Sequence, residues 1–301
     1  MNRFHALPDN TKGALILLVA AMGFSIMAML IKLAGQNLHV TQILLVRQFG
    51  MTALILPSLL GNFPHSLKTR RPDLQLLRIG FAIVAMLCGF TALIELPLAD
   101  ATALAFTKGL FVTIFAVLIL KETVGWFRWG AVIVGFAGVL MMLRPGTDDF
   151  SVYGVLAIIG AASAGIVMII IRLLSRHDHP NTIMTYQAFG VGVIMLVPGV
   201  WFWKWPSATE WIILGAIAVS GFVAQKCNVY AHKWGEASML ASLDYTRLFY
   251  ATVLGWLVFD TFPDSVTWIG AGIIIAASIF TVYREHALKR ERERGLEDRF
   301  G

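Results

Sequence analysis

The chain has 301 residues, a formal net charge of +6, 57% hydrophobic residues and only 14% charged ones. Its mean hydropathy is +0.73, whereas a soluble domain carries about 25% charged residues. These figures exclude a soluble enzyme or a basic nucleic-acid-binding domain. They describe a chain whose main solvent is lipid.

Residues 1–12 contain Pro8 and Asp9 and precede the first apolar run, 13–33. That run is too long for a signal-peptide core and lacks a small-residue cleavage site, so it is expected to remain as a membrane helix. Runs 43–60 and 76–96 follow; the second carries Arg47 near its start, expected at an interface or headgroup, and the third ends at Glu95. The fourth, 101–120, holds Lys108, about 7 residues or ~10 Å from its start. The fifth, 126–143, opens on Trp126 and Trp129. The sixth and seventh, 153–174 and 184–203, flank the loop "RHDHPN". Its His177 and His179 form a weak metal signal and are expected in solvent. The eighth, 211–231, contains Gln225, Lys226, Asn228 and Tyr230. The ninth, 237–259, contains Asp244 and Arg247, the latter about 10 residues or ~15 Å deep. The tenth, 267–283, leads into the charged tail 284–301, expected to extend the last helix near anionic headgroups.

Backbone groups in lipid must be hydrogen-bonded within the chain, so these runs predict an all-α integral membrane fold of ten transmembrane helices. Basic residues gather in alternate loops, among them Lys68, Arg70, Arg71, Lys121, Arg128, Arg172, Arg176 and Lys233, and in the tail. That bias places both termini in the cytoplasm and accounts for the net charge without nucleic acid. Cys88 and Cys227 lie inside runs and no metal-ligand spacing occurs, so no cofactor and no metal is expected.

Shifting the chain by about 140 residues superposes its halves. Ala20-Ala21 meets Ala161-Ala162, Phe49-Gly50 meets Phe189-Gly190, Pro57 meets Pro198, Gly80 meets Gly215, and Thr107-Lys108 meets Thr246-Arg247. Each half holds five runs, an odd number, so the second must enter the membrane from the opposite side. The expected organisation is a first five-helix repeat over 13–146 and an inverted one over 147–283. Inverted repeats characterise secondary transporters, whose substrate site lies near the midplane between the repeats.

Charges within spans are costly and mark candidate sites. Lys108 and Arg247 occupy equivalent positions too deep for easy snorkelling, and they suit a carboxylate or phosphate. Asp244 lies three residues before Arg247 on the same helix face, so the pair can equally be structural. Phe90, Phe106, Tyr245 and Phe249 flank these positions and could pack or bind an apolar substrate side chain. Gln225, Asn228 and Tyr230 complete the expected pathway residues. Gly23, Gly35, Gly89, Gly135 and Gly138 suit close helix packing. The rival class, a membrane enzyme, lacks an HExxH helix, a GxSxG elbow and a P-loop.

Residues 96–146, "LPLADATALAFTKGLFVTIFAVLILKETVGWFRWGAVIVGFAGVLMMLRPG", resemble the EamA branch of the drug/metabolite transporter superfamily. "LPLADATAL", the helix-ending "LKET" and the glycine pattern closing on "RPG" carry the resemblance. In the second half "VFDTF" stands at the equivalent turn, with Asp260 in the place of Glu122. Lys108-Gly109 stands where the family commonly has an Ala-Pro-like pair. The resemblance implies ten helices in two inverted repeats, alternating access, a small-molecule substrate, residence in the bilayer of a bacterial-type cytoplasmic membrane, and no required oligomer. Similarity to YddG-like amino-acid exporters and to S-adenosylmethionine carriers leads to export of amino acids, hydrophobic or aromatic ones foremost, and related small metabolites as the expected function, with import or exchange of a larger metabolite such as S-adenosylmethionine as the alternative.

Overall fold

A computed structural model of the chain describes residues 9–60, 69–121, 125–147, 150–175, 177–178, 180–234 and 237–300. Nearly all lie in helices, and no strand occurs among the described residues. In order these are α1 (Asp9–Ala34), α2 (Val40–Leu60), α3 (Pro72–Glu95), α4 (Leu98–Ala105), α5 (Lys108–Leu120), α6 (Trp126–Leu143), α7 (Val152–Leu174), α8 (Pro180–Trp201), α9 (Ala208–Trp234), α10 (Ala237–Asp244), α11 (Thr246–Phe259) and α12 (Ser265–Phe300).

The punctuation is local chemistry. Pro72 opens α3, where its missing N–H costs nothing. Ser151 caps α7 by accepting a 3.3 Å hydrogen bond from the Tyr153 N–H. Helices α5 and α11 both close on a left-handed residue, Lys121 at φ 53° and Asp260 at φ 51°. The structural counterpart of Asp260 is therefore Lys121, one residue before the Glu122 that the motif comparison paired with it; Glu122 itself lies outside the described residues.

Eight segments are long and apolar enough to cross a membrane: Asp9–Ala34, Val40–Pro57, Pro72–Glu95, Leu98–Leu120, Trp126–Leu143, Val152–Leu174, Thr182–Trp201 and Ala208–Ala231, with a shorter apolar stretch at Ser265–Thr281. The fourth and ninth runs differ from the expected continuous helices. Both are interrupted, at 106–107 and at Tyr245, which leaves α10 with eight residues and α11 with fourteen.

Helix pairing is symmetric under exchange of the two halves. α1 lies along α9 as α3 lies along α7; α5 packs on α7 as α11 packs on α1; α2 faces α8 and α6 faces α12. The α6–α12 contact is closest at glycine. A Cβ on Gly138 would stand 2.8 Å from the Gly270 carbonyl oxygen, and one on Gly270 would stand 2.9 Å from that of Gly138. Such backbone-on-backbone approach lets dispersion replace the missing hydrophobic drive between helices in lipid.

Polar ties close the two ends of the bundle. At one end Asp178, between α7 and α8, accepts from the Arg70 N–H at 2.9 Å, from Gln75 Nε2 at 3.0 Å and from the Thr69 hydroxyl. Burial works to raise this carboxyl, but the three donors outweigh it and hold Asp178 below the ordinary carboxylate range. At the other end Gln42 exchanges hydrogen bonds with the Lys204 backbone, donating at 2.8 Å and accepting at 3.1 Å. Lys32 Nζ donates to the Ile94 and Leu96 carbonyls at 2.8 and 2.7 Å. Arg144 pairs with Asp264 there as well. His177 is exposed, as expected, and His179 lies outside the described residues.

Two outcomes are expected. Gly138→Leu forces α6 from α12 and lowers the thermal unfolding temperature in detergent, at a cost of about 1–3 kcal/mol, whereas Gly272→Ala, which meets nothing within 4 Å, leaves it unchanged. Because the Asp178 carboxyl is lowered, its contribution is present above the ordinary carboxylate range and lost as pH falls through the lowered value. Asp178→Asn should thus reduce stability at pH 7, with the gap to wild type closing under strongly acidic conditions in a pH series of unfolding curves.

Candidate functional site

The interruption between α4 and α5 is a tightening of the helix. Phe106 and Thr107 keep helical dihedrals, φ −68°, ψ −18° and φ −58°, ψ −17°. Their hydrogen bonds, however, run over three residues: Gly109 N–H to Phe106 O at 3.0 Å and Leu110 N–H to Thr107 O at 2.9 Å. The Thr107 hydroxyl donates back to the Leu104 carbonyl at 2.6 Å. The second half repeats the device. Leu248 N–H reaches Tyr245 O at 3.0 Å, and the Thr246 hydroxyl donates to the Leu243 carbonyl at 2.7 Å. A β-branched hydroxyl competing for a carbonyl one turn back is a local reason for the tight turn at both places.

These turns bring predicted site residues together. The Phe106 and Tyr245 rings meet edge-on with centroids 4.8 Å apart. Lys108 follows the first turn and Arg247 the second, and Asp244 and Arg247 are the charges that act on Lys108. Arg247 Nε stands 2.8 Å from Asp244 Oδ1, with the two side chains 22% and 29% exposed. That distance makes an ion pair, but the contact is out of line for a hydrogen bond, and Arg247 Nε has no other partner. The guanidinium also lies over the Phe24 ring at 4.2 Å, and the Arg247 carbonyl accepts from Ser25 Oγ at 3.3 Å. Arg247 therefore has the protein carboxylate expected from the sequence, and that contact leaves its Nε without a hydrogen bond.

Other expected residues fall elsewhere. Phe249 is 64% exposed and meets Tyr250 edge-on, and Tyr230 is 48% exposed, so neither reaches the central charges. Gln225 and Asn228 are half-buried on α9. Phe90 is buried, but against Arg47, whose Cζ lies 5.5 Å from its ring centroid.

Arg47 is the correction that matters most. The expected headgroup contact is instead a side chain that is 9% exposed inside the bundle, donating to Gln48 Oε1 at 2.7 Å. Sequence reasoning also passed over Arg78, 3% exposed, which donates to the Ile183 carbonyl at 2.6 Å and to Gln187 Oε1. Gln48 Nε2 in turn reaches the Gln187 carbonyl at 3.5 Å. The available signal was a charge two residues inside the third run, and α3 begins earlier, at Pro72, which sets Arg78 deeper.

Two cavities among the described residues lie away from Lys108 and Arg247. One of about 360 Å³ sits at the Arg144–Asp264 end and is lined by Asp100, Ser151 and Thr267 among others. The second, about 580 Å³, is an apolar groove between α1 and α9 lined by residues such as Val19, Met22 and Val223. The chemistry available at the centre is binding: cations, one carboxylate and aromatic edges. Among the described residues no cluster of three or more metal-ligating side chains occurs.

A helical bundle with charges held inside apolar spans is the class to which multi-pass membrane transporters belong. Comparison with known proteins specifies it. The sequence profile of the EamA-like transporter family matches twice, over residues 11–144 and 152–283, and the chain belongs to that family. It is 31% identical to the riboflavin transporter of Vibrio cholerae over 95% of this chain and 97% of that protein. It is 29% identical to the S-adenosylmethionine uptake transporter of Rickettsia prowazekii, covering 93% and 95%. Identity to the pseudopaline exporter CntI of Pseudomonas aeruginosa is 28%, covering 89% and 94%. A solved crystal structure shares the fold with a TM-score of 0.64 at 16% identity, covering 90% of this chain and 97% of its own. The chain is a membrane transporter of the EamA type.

Replacing the charges at the two turns separates their roles. Lys108→Ala and Arg247→Ala are expected to remain folded and to lower transport by at least about tenfold, the effect of losing one charge-assisted hydrogen bond. Asp244→Asn should cost stability as well as transport, since it strips Arg247 of its carboxylate. Flux in liposomes beside unfolding curves in detergent measures both.

Proposed function

We propose that the chain is a secondary carrier of the bacterial cytoplasmic membrane that exports amino acids, or small metabolites bearing an amino-acid group, by alternating access. The observation that carries this reading is the charge set at the two turns. Lys108 and Arg247 offer cations to a carboxylate, Asp244 offers an anion to an ammonium group, and Phe106 and Tyr245 stand beside them. A zwitterionic amino acid has that complement of charges and leaves its side chain to the aromatic edges.

The architecture proposed is ten membrane crossings in two inverted five-helix repeats, 13–146 and 147–283, with both termini cytoplasmic. It is supported by the twofold match of one family profile, the exchange symmetry of the helix pairs and the paired interruptions at Thr107 and Thr246. The lysine and arginine bias of alternate loops supports the orientation. Ties at both ends, around Asp178 and around Gln42 and Arg144, are the contacts such a carrier would open alternately.

The second reading is carriage of S-adenosylmethionine, favoured by similarity to uptake transporters for that compound. The molecule ends in the same amino-acid group, so one site would serve both. Proteoliposomes loaded with a panel of labelled amino acids and with labelled S-adenosylmethionine decide between them. Protein-dependent efflux of one or more amino acids, chemically unchanged and competed by excess of the same compound, is the expected result. Flux of S-adenosylmethionine without any amino acid would replace the first reading by the second, and flux of neither would reject both.

A further inference from the structure

We infer that the substrate carries a second acidic group, recognised by Arg47 and Arg78 at a subsite next to the zwitterion site. This inference rests on the amino-acid reading above and deepens it. It begins with a charge count. Among the described residues facing the interior between the two ends of the bundle, the cations are Arg47, Arg78, Lys108 and Arg247, and the one carboxylate is Asp244. Lys226 is exposed, and Asp100 and Asp264 belong to the cavity at one end. An amino-acid zwitterion adds no net charge, so it would leave that excess uncompensated in a low-dielectric surround.

Arg47 and Arg78 are where the excess sits. Their described partners are neutral: Gln48 Oε1 and the Phe90 face for Arg47, the Ile183 carbonyl and Gln187 Oε1 for Arg78. Neither forms an ion pair with a described carboxylate. Both keep a buried Nε with no hydrogen-bond partner, although the side chains are 9% and 3% exposed. A buried donor left unmatched is a cost the protein would not normally retain, and an anion relieves it at both guanidinium groups. Guanidinium is the planar donor suited to a carboxylate or a phosphate.

The subsite is continuous with the zwitterion site through one face of α1. Arg247 lies over Phe24, and Met27 comes one turn later on the same face. A Cβ on Gly221 would stand 2.8 Å from Met27 Sδ and 3.7 Å from Arg47 Nε, so Met27 and Arg47 converge on that glycine. Cations therefore flank successive turns of α1, and a substrate lying along it can engage both groups.

The matched pairs L-glutamate and L-glutamine, L-aspartate and L-asparagine, and 2-aminoadipate and its amide test the inference. Each pair differs only in the second acid group and spans a different reach. Ligand-induced thermal stabilisation of the purified full chain in detergent gives the affinity. At least one acid is expected to bind about tenfold or more tightly than its amide. Arg47→Gln or Arg78→Gln should erase that preference, and Arg47→Lys should keep part of it. Lys108→Gln should weaken acid and amide alike. If no acid in the series is preferred by wild type, or the preference survives both glutamine variants, the subsite is wrong. Flux of neutral amino acids in that case would leave the carrier reading standing, so the two failures are distinguishable. If the glutamine variants do not fold, a reduced acid preference in Arg47→Lys or Arg78→Lys with unchanged amide affinity would support the subsite, and an unchanged preference in both lysine variants would overturn it.

Discussion

A charge inside a bilayer must find its partner within the protein, and that requirement organises the interior of this molecule. Coulomb interactions there are strong because water is scarce, but so is the penalty for leaving a charge alone. The chain meets the requirement unevenly. Arg247 has Asp244 and the Phe24 ring, Lys32 has two backbone carbonyls near a helix end, and Arg47 and Arg78 have only neutral acceptors. Arg47, Arg78 and Arg247 each keep a buried Nε without a hydrogen bond, whereas Lys32 has two carbonyl acceptors near a helix end.

The helix interruptions are the means by which the central charges reach one place. An uninterrupted α-helix through Thr107 would continue its usual rotation of about 100° per residue. Three-residue hydrogen bonds tighten it locally and turn the following segment. Since the same turn recurs at Tyr245 and Thr246, Phe106 meets Tyr245 and the two basic residues flank them. No proline is needed. Gly109 stands 3.7 Å, by its Cβ position, from Ser278 Oγ on α12, so a small residue there also keeps a neighbouring helix near.

Much of this was legible before any coordinates. Apolar blocks fix helical spans because lipid leaves no alternative for the backbone, and the repeat offset paired Thr107-Lys108 with Thr246-Arg247, although both runs were expected to be continuous helices. What sequence could not supply was the azimuth of each residue. Phe249 lies two positions from Arg247 and yet faces outward, because two residues along a helix is about 200° around it. Depth was also misjudged for Arg47, and Arg78 was passed over. A charge near the end of an apolar run looks like an interfacial anchor unless the true helix start is known, and Pro72 and Val40 set those starts earlier than hydropathy did. The Asp178 tie was invisible for a different reason: its donors lie more than a hundred residues away in the chain.

The incomplete pairing of Arg247 has a consequence for how a carrier can work at all. A binding site whose charges were fully matched by the protein would have nothing to offer a substrate; one with no internal match would destabilise the empty protein. The Asp244–Arg247 contact lies between these limits. It is close enough, at 2.8 Å, to hold the empty site together, and it is too poorly aligned to satisfy Nε. On the carrier reading proposed above, a carboxylate arriving with better geometry would exchange partners without first exposing a bare charge, and Lys108, half-buried and acted on by both residues, would feel the exchange from the opposite helix. The two turns touch through Phe106 and Tyr245, so on that reading a change of partners at one would reach the other through a direct contact.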